Sequence, residues 1–381
     1  MPNPFDQLSL DQLRRRTSVK WRAYPDDVLP LFVAEMDVPL ARPVRQALYA
    51  ALERGDTGYP IGDDYARAYD AFARARWGWR IAAERSATVA DVMNGIVAAL
   101  RLVTEPGDPV VVNSPVYTPF YEFVRYADRR VVESPLGEDR RLDLNGLDRT
   151  FARLREDGAR RAAYLLCSPH NPTGTVHTRE ELAAALEIAR RHDVRVVVDE
   201  IHAPLVYDPD AFTPLLTVPG AEAAFSLVSA SKAWNLAGIK AALLVAGDEA
   251  TADLARLPDI VRHGPSHLGV IAHVAALRHA RDWLGDVLGG LDENRMLLAK
   301  LLAEHLPQVR YEPPQGTYLG WLDCRELGLG DDPAAAFLER AKVALVPGPS
   351  FGTGGAGHAR LNLAAPQVVL EEAVRRMVGV V

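Results

Sequence analysis

The sequence predicts an α/β fold with a mostly parallel central sheet and helices on both of its faces. Short apolar runs that are typical of strands alternate with helical patterns, and proline and glycine residues separate them. Residues 194–198 are almost continuously apolar, which is typical of a strand buried on both faces. Strands that alternate with helices in this way favour a parallel sheet.

The first helix and strand pair precedes residue 113. Residues 95–103 predict a helix that begins at Gly95. Pro-Gly-Asp at residues 106–108 then predicts a turn into a strand over residues 110–112.

The next pair surrounds the central apolar run. Residues 162–167 predict a strand. Thr178 is a candidate N-cap, and Glu181 three residues later completes a capping box, so we expect a helix that extends to Arg191. The apolar run over residues 194–198 follows as the next strand.

Size and composition limit the class of protein. At 381 residues the chain exceeds what one hydrophobic core usually supports, so two domains are expected. Hydrophobic residues make up 48% and charged residues 24%, which are ordinary values for a soluble enzyme. The formal net charge of −7 favours solubility and disfavours nucleic acid as the main partner.

The sequence also predicts where the protein acts. No stretch approaches the roughly 20 apolar residues of a membrane-spanning helix, so no membrane partner is expected. The N-terminal residues lack the basic and apolar regions of a secretion signal. Two cysteines, Cys167 and Cys324, are too few for a disulfide framework. We therefore expect a cytoplasmic protein.

Three segments carry residues suited to chemistry. Lys232 lies in Ser-Ala-Ser-Lys-Ala-Trp-Asn-Leu-Ala-Gly, residues 229–238, after an apolar run at residues 225–228. Upstream lie Asp-Glu-Ile-His at residues 199–202 and Ser-Pro-His-Asn-Pro-Thr-Gly at residues 168–174. A lysine among serines at the end of a buried strand is suited to meet an anionic or electrophilic group. A solvated surface charge is the alternative for this lysine alone.

In their order along the chain, at residues 168–174, 199–202 and 229–238, the three segments resemble the pyridoxal-phosphate enzymes of aminotransferase fold type I. The likeness covers nearly the whole chain. Trp234 and Asn235, together with Asp-Glu-Ile-His, look most like the cystathionine β-lyase, or C-S lyase, branch. The resemblance implies a large cofactor domain over residues 41–280 that holds the sheet. It also implies a smaller α+β domain formed by residues 1–40 and 281–381.

The resemblance implies roles for Lys232 and Asp199. Lys232 would hold pyridoxal phosphate covalently and, once released by an incoming amino acid, would remove the substrate α-proton as general base. Asp199 would lie against the pyridine nitrogen, because a protonated ring stabilises a carbanion. From the residues alone, an aspartate directly after a strand predicts a ligand site, with a helix N-cap or a surface carboxylate as alternatives.

Asn171 and Arg360 are matched in the same way. Asn171 resembles the asparagine that donates to the phenolic oxygen of the cofactor, and it is also a candidate substrate contact; an ordinary turn residue is the alternative. Arg360 resembles the arginine that binds the substrate carboxylate with its planar guanidinium. A structural salt bridge is the alternative for Arg360.

The cofactor phosphate needs hydrogen-bond donors. Because Gly95 opens the predicted helix, the amides of Gly95, Ile96 and Val97 are expected to be free and to cradle the phosphate at the positive end of the helix dipole. Other positions that match phosphate contacts in the family are Ser229, Ser231 and Lys240. Arginine is frequent at the last of these, so lysine would give a point charge instead of a bidentate contact.

Two tyrosines and a histidine complete the predicted site. Tyr117 resembles the aromatic residue that stacks on the cofactor ring, with core packing as the alternative. Tyr59 resembles a tyrosine that reaches the phosphate of the neighbouring subunit, which implies a homodimer with shared active sites. His202 stands where many aminotransferases carry tyrosine, and the β-lyase branch typically has histidine there. A structural, half-buried histidine is the alternative.

The predicted activity is cleavage of cystathionine or another S-substituted L-cysteine to a thiol, pyruvate and ammonia. An aminotransferase acting on an amino acid, and a regulatory or partner-binding protein on the same fold, are the alternatives. Glu35 departs from the aspartate that is usual in this branch near the substrate entrance, which leaves the preferred substrate side chain open. His263 and His267 have the spacing of a zinc pair but lack a third ligand, so no metal is expected.

Overall fold

The computed structural model describes residues 3–381. Its helices, in chain order, are α1 Leu10–Leu13, α2 Val19–Arg22, α3 Arg42–Glu53, α4 Asp64–Trp77, α5 Val92–Val103, α6 Pro119–Tyr126, α7 Leu144–Glu156, α8 Arg179–Arg191, α9 Thr251–Ala255, α10 Asp259–Arg262, α11 His267–His279, α12 Arg281–His305, α13 Pro333–Ala336 and α14 Gln367–Val378. Its strands are β1 Leu29–Pro30, β2 Ser86–Val89, β3 Pro109–Val112, β4 Arg130–Glu133, β5 Ala163–Cys167, β6 Arg195–Asp199, β7 Phe225–Val228, β8 Ala242–Ala246, β9 Arg310–Tyr311, β10 Leu319–Asp323, β11 Val343–Ala344, β12 Val346–Pro347 and β13 His358–Asn362.

The chain divides into two compact units. The larger unit comprises Leu40–His170 and Thr175–Arg281, and the smaller comprises the chain up to Pro39, Asn171–Gly174 and Asp282–Val381. Within residues 3–381, every helix is too short or too polar to span a bilayer.

A seven-stranded sheet forms the centre of the larger unit, with the strand order β2-β8-β7-β6-β5-β3-β4. The strands from β7 to β4 in this order are parallel neighbours, whereas β8 runs antiparallel to β7 and to β2. The predicted α/β fold with a mostly parallel sheet is confirmed.

Alternate residues of the central strands fill two apolar cores, one on each face of the sheet. One core contains Leu165 and Val197 with residues of α5 and α6, and the other contains Leu166 and Val198 with residues of α7 and α8. Side chains of a strand point to opposite faces in turn, so a strand covered on both faces needs apolar residues at every position. This explains the almost continuous apolar run at residues 194–198.

The register of β5, β6 and β7 brings their carboxyl ends to one edge of the sheet. Cys167 pairs with Asp199, and Asp199 pairs with Leu227. The amide of Ser168 donates to the carbonyl oxygen of Asp199 at 3.0 Å. The residues that follow these strands therefore lie together, at the edge where open α/β sheets bind ligands.

The two predicted helix starts have different outcomes. The capping box of α8 is confirmed, because Thr178 accepts from the Glu181 amide at 3.2 Å and the Glu181 carboxylate accepts from the Thr178 amide at 2.7 Å. The prediction that Gly95 opens a helix is wrong. Helix α5 begins three residues earlier, because the carboxylate of Asp91 accepts from the Asn94 amide at 2.8 Å and caps the helix there.

The smaller unit contains a four-stranded antiparallel sheet in the order β12-β13-β10-β9, and a short parallel pair of β1 and β11. Strand β13 is paired on both sides, so Arg360 lies opposite Trp321 on one side and Val346 on the other. The buried side chain of Asn294 on α12 donates to the carbonyl oxygens of Leu363 and Ala365, each at 2.8 Å. These bonds fix the chain that leaves β13.

Candidate active site

Asp199 is the last residue of β6, and its side chain is buried. Its Oδ1 accepts a hydrogen bond from the amide of Ile201 at 3.0 Å. Burial raises the pKa of Asp199 to about 7, while the Ile201 bond and the positive charge of Lys232 oppose that rise. Asp199 and Lys232 therefore lie within electrostatic reach of each other, and a further cation against this carboxyl would favour its ionised form.

Lys232 lies half-buried in a tight turn after β7. The amide of Trp234 donates to the carbonyl oxygen of Ala230 at 3.0 Å. The amide of Leu236 donates to the carbonyl oxygen of Ser231 at 2.7 Å. The backbone that carries the lysine is thus hydrogen-bonded on both sides of it.

Trp234 anchors the Lys232 turn in the larger unit. The ring is fully buried, and its Nε1 donates to the carbonyl oxygen of Ala280 at 2.9 Å. It meets the ring of Phe72 on α4 edge-on, with the ring centroids 5.4 Å apart. A large buried side chain two residues after Lys232 leaves the turn little freedom to move.

Ser229 and Ser231 lie at the start of the same turn. The hydroxyl of Ser229 donates to the carbonyl oxygen of Ala241 at 2.8 Å, and its oxygen accepts from the amide of Ser231 at 3.1 Å. The structure brings both serines next to Lys232. Their contact with phosphate stays a prediction.

The expectation of free amides at Gly95, Ile96 and Val97 is wrong for Gly95, whose amide donates to the carbonyl oxygen of Asp91 at 2.9 Å. Ile96 and Val97 lie further inside α5, where amides bond within the helix. Gly95 has a different role. A Cβ there would lie 2.6 Å from Cδ1 of Leu227, so glycine allows α5 to approach β7 closely. The amides at the start of this helix belong to Val92 and Met93.

Lys240 lies at the same helix start. Its Nζ is 2.7 Å from the carboxylate of Asp91, and its side chain is 55% exposed. The larger unit thus contains the positive end of α5, Lys240, Ser229 and Ser231. These groups supply hydrogen-bond donors of the kind that bind phosphate.

Tyr117 and Tyr59 differ in exposure. Tyr117 is half-buried against the core and meets Phe120 edge-on at 6.0 Å between centroids, so core packing accounts for part of its surroundings. Tyr59 is 85% exposed in the single chain, and Ile61 beside it is 97% exposed. Two large exposed side chains so close together are typical of a surface that meets a partner.

His202 is buried three residues after Asp199. It precedes a short 3₁₀ turn, and its carbonyl oxygen accepts from the amide of Leu205 at 2.8 Å. His267, one of the two histidines with zinc-like spacing, has its Nε2 3.0 Å from Oδ1 of Asp56. Across residues 3–381, no three His, Cys, Asp or Glu side chains are grouped closely enough to hold a metal ion.

The smaller unit brings Arg360 and Asn171 together. Arg360 is almost fully buried, and its guanidinium donates to Oδ1 of Asn171 at 3.0 Å and to the carbonyl oxygen of Phe32 at 3.2 Å. It also lies over the ring of Phe351, 5.2 Å from its centroid. Because Oδ1 of Asn171 accepts from Arg360, the amide NH₂ of Asn171 keeps donors for another group.

A buried ion pair that sequence reasoning missed holds the segment of residues 32–37. Lys20 and Asp37 are each 1% exposed, and their charged atoms are 2.8 Å apart. Asn362, two residues after Arg360, donates to the carbonyl oxygens of Val33 and Glu35 at 2.6 and 2.7 Å. Lys20 lies in the four-residue helix α2, which is too short for a periodic pattern to indicate burial, so only the folded chain reveals this pair.

The buried carboxyl of Glu200 is expected to make the free energy of unfolding depend on pH. Its carboxyl accepts from the Leu215 amide at 2.8 Å and from the Ser226 hydroxyl, and burial raises its pKa from the ordinary 4.5 to about 7. The unfolded chain therefore releases this proton at lower pH than the folded chain. The stability contributed by the group is complete below pH 4.5 and is lost as the pH rises through about 7.

Glutamine in place of Glu200 cannot ionise; its oxygen can accept from the Leu215 amide, and its NH₂ can donate to the Ser226 oxygen. We expect the Glu200→Gln protein without cofactor to be more stable than the original protein at pH 8 by about 1–3 kcal/mol, and no more stable at pH 5. Denaturant unfolding at the two pH values measures the difference. An equal gain or loss at both would show that the carboxyl does not titrate in this range.

Comparisons with known proteins identify the family. Residues 59–377 match the family described as aminotransferase class I and II. A Mycobacterium tuberculosis protein provisionally named cystathionine beta-lyase is 56% identical, over 99% of this chain and 98% of its own length. Cystathionine beta-lyase of Corynebacterium glutamicum is 35% identical, over 97% of this chain and 98% of its own.

A solved structure has the same fold. Cystalysin from Treponema denticola, which contains pyridoxal 5'-phosphate, is 26% identical, with a TM-score of 0.90 over 100% of this chain and 99% of its own. The resemblance inferred from Lys232, Asp199 and Asn171 is thus confirmed at the level of the family. The chain belongs to the aminotransferase class I and II family, in the branch of the cystathionine beta-lyases.

Proposed function

We propose that this protein is a pyridoxal-phosphate-dependent C-S β-lyase, which cleaves L-cystathionine or another S-substituted L-cysteine to a thiol, pyruvate and ammonia. The relatives that are named for this activity, and that match over nearly their whole length, support the lyase class. The observation that carries the cofactor assignment is the buried Asp199 carboxyl at the end of a central strand, within electrostatic reach of Lys232.

The residues fit pyridoxal phosphate. The cofactor requires a carboxylate for its ring nitrogen, an amine that can bind it covalently and donors for its phosphate. Asp199 has a pKa raised by burial to about 7, so a cationic ring nitrogen would return it to the charged form. Lys232 would hold the cofactor, and the donors around Ser229, Ser231 and Lys240 would take its phosphate.

The bound cofactor supplies an electron sink for the negative charge that develops at the substrate α-carbon. Lys232 removes the α-proton with Nζ, which is the step that allows the bond between the β-carbon and sulfur to break. Arg360 binds the substrate carboxylate through its guanidinium. Asn171, whose Oδ1 is held by Arg360, presents its NH₂ donors to the cofactor oxygen.

Release of the thiol tests this function. L-cystathionine and S-alkyl L-cysteines are incubated with the protein and pyridoxal phosphate, and free thiol is measured with a thiol reagent. We expect thiol from at least one thioether and none when Lys232→Ala protein is used. Absence of thiol from every thioether, in a protein that binds the cofactor, would leave transamination as the activity of the site.

We also propose that the protein acts as a homodimer in the cytoplasm, with Tyr59 of the partner subunit contributing to each site. The exposure of Tyr59 and Ile61 in the single chain supports a partner on this surface. Both cysteines are free and buried, and the reducing cytoplasm would keep them as thiols.

A subunit-mixing experiment checks the shared site. Equal amounts of Tyr59→Ala and Lys232→Ala proteins are unfolded together and refolded, and random pairing makes about half of the dimers mixed, with one defect on each subunit. If Tyr59 acts across the interface, one site of each mixed dimer has both defects and the other has none. We expect recovery of about a quarter of the original activity. If Tyr59 acts within its own subunit, mixing will recover nothing.

A further inference from the structure

A buried tyrosine and histidine pair lies outside the residues that the proposed reaction uses. Tyr65 on α4 is 1% exposed and His273 on α11 is fully buried. The Oη of Tyr65 is 2.9 Å from Nδ1 of His273, and the two rings meet edge-on with their centroids 5.3 Å apart. Burial of two polar side chains costs free energy, because each loses its hydrogen bonds to water on folding.

The second hydrogen bond of His273 determines which residue donates in the bond between Tyr65 and His273. Its Nε2 lies 3.0 Å from the carbonyl oxygen of Ile239, and a carbonyl oxygen only accepts, so Nε2 carries the proton. Burial lowers the pKa of His273 to about 4, so the ring is neutral at pH 7 and Nδ1 is an acceptor. The Tyr65 hydroxyl therefore donates to Nδ1.

With its proton directed at His273, the Tyr65 oxygen can accept from the Lys232 turn. The buried amide of Ala230 donates to it at 3.4 Å, and the Ser229 hydroxyl, whose own proton is directed at Ala241, lies beside it. His273 bonds the chain at Ile239, beyond the lysine. The pair thus contacts the chain on both sides of Lys232.

The same two helices hold the middle of this segment. Phe72, two turns after Tyr65 on α4, packs against Trp234. Ala280, the C-cap residue directly after α11, accepts the hydrogen bond from the Trp234 ring with its carbonyl oxygen. Helices α4 and α11 therefore contact residues before, within and after the turn, and Tyr65 and His273 supply polar side chains to these contacts.

We infer that Tyr65 and His273 are positioning residues that hold Ser229 and Lys232 in place for the cofactor, so that retention of pyridoxal phosphate depends on a hydroxyl that does not touch it. This inference rests on the proposed function, because it concerns the cofactor of the same site. If the Tyr65 hydroxyl is removed, the Ala230 amide loses its hydrogen-bond partner. Binding of the cofactor must then first restore the conformation of the turn that carries Lys232.

The test uses Tyr65→Phe, which removes the hydroxyl and keeps the buried ring. Tyr69→Phe is the matched control, because Tyr69 lies on the same helix, is equally buried, and has a hydroxyl with no hydrogen bond to any part of the chain that the structure describes. The dissociation constant of pyridoxal phosphate is measured by titrating each cofactor-free protein and following the visible absorbance. The melting temperature of each cofactor-free protein is recorded in parallel.

We expect the dissociation constant to rise about tenfold in Tyr65→Phe, the effect of one lost hydrogen bond, and to be unchanged in Tyr69→Phe. His273→Gln keeps a donor for the Ile239 carbonyl oxygen but has no acceptor at the position of Nδ1, and we expect it also to raise the dissociation constant. In the double variant the two effects should fall short of their sum, because the residues act as one unit.

An unchanged dissociation constant in Tyr65→Phe would overturn the inference, whether or not the melting temperature falls. That result would show that the pair only packs the core. If the original protein itself does not bind pyridoxal phosphate, the proposed function fails instead, so the two failures are distinguishable.

Discussion

Replacement of Lys232 by alanine is expected to abolish turnover, with kcat/KM falling by about 10⁴-fold or more. In the proposed reaction this one amine both holds the cofactor and removes the α-proton, so its loss removes two functions at once. The visible absorbance of lysine-bound pyridoxal phosphate should disappear as well. Steady-state kinetics and an absorbance spectrum of the purified protein measure the two effects.

Lys300→Ala is a suitable control for this variant, because Lys300 is an exposed lysine on α12 that is paired only loosely with Glu304 at 3.9 Å. Its turnover and spectrum should match those of the original protein. If Lys232→Ala protein keeps the absorbance band of a lysine-bound cofactor, another lysine is the attachment point, and the assignment of Lys232 is incorrect.

Replacement of Asp199 by asparagine is the second large effect that we expect, with kcat reduced by about 10²–10³-fold. Asparagine has the same shape and can still accept from the Ile201 amide, but it carries no charge to stabilise a protonated ring nitrogen. The fold should therefore survive while the chemistry slows. Measurement of kcat at saturating substrate and cofactor separates this effect from weaker binding.

The neighbouring variant Glu200→Gln gives the comparison. Glu200 is also buried with a raised pKa, but its carboxyl is bonded to Leu215 and Ser226 and belongs to the packing of the larger unit. We expect Glu200→Gln to keep most of its turnover. Equal losses in Asp199→Asn and Glu200→Gln would mean that burial of any carboxyl here matters, and not a specific contact with the cofactor.

The sequence was informative where local rules decide the structure. The apolar run at residues 194–198 became β6 because both faces of that strand are covered. Thr178 and Glu181 form their capping box because it involves only four consecutive residues. The predicted start of α5 at Gly95 is wrong because a glycine does not itself begin a helix, whereas the Asp91 side chain caps the Asn94 amide.

Contacts between distant residues could not be predicted from local patterns. The pairs of Tyr65 with His273 and of Asn171 with Arg360 join positions 208 and 189 residues apart. Neither pair leaves a periodic signal, since each depends on how separate helices or strands pack. The family resemblance supplied roles for Asn171 and Arg360, but the hydrogen bond between them appears only in the structure.

The most direct test of the account is the number of pyruvate molecules formed per active site from L-cystathionine, with pyridoxal phosphate present and no keto-acid acceptor. A lyase regenerates its cofactor in every cycle, so we predict continuous pyruvate formation over many turnovers, matched by an equal amount of thiol. An aminotransferase without an acceptor stops after its cofactor has taken up one amino group. Product that ceases at about one keto acid per site, and resumes only when an acceptor is added, would contradict the proposed lyase function.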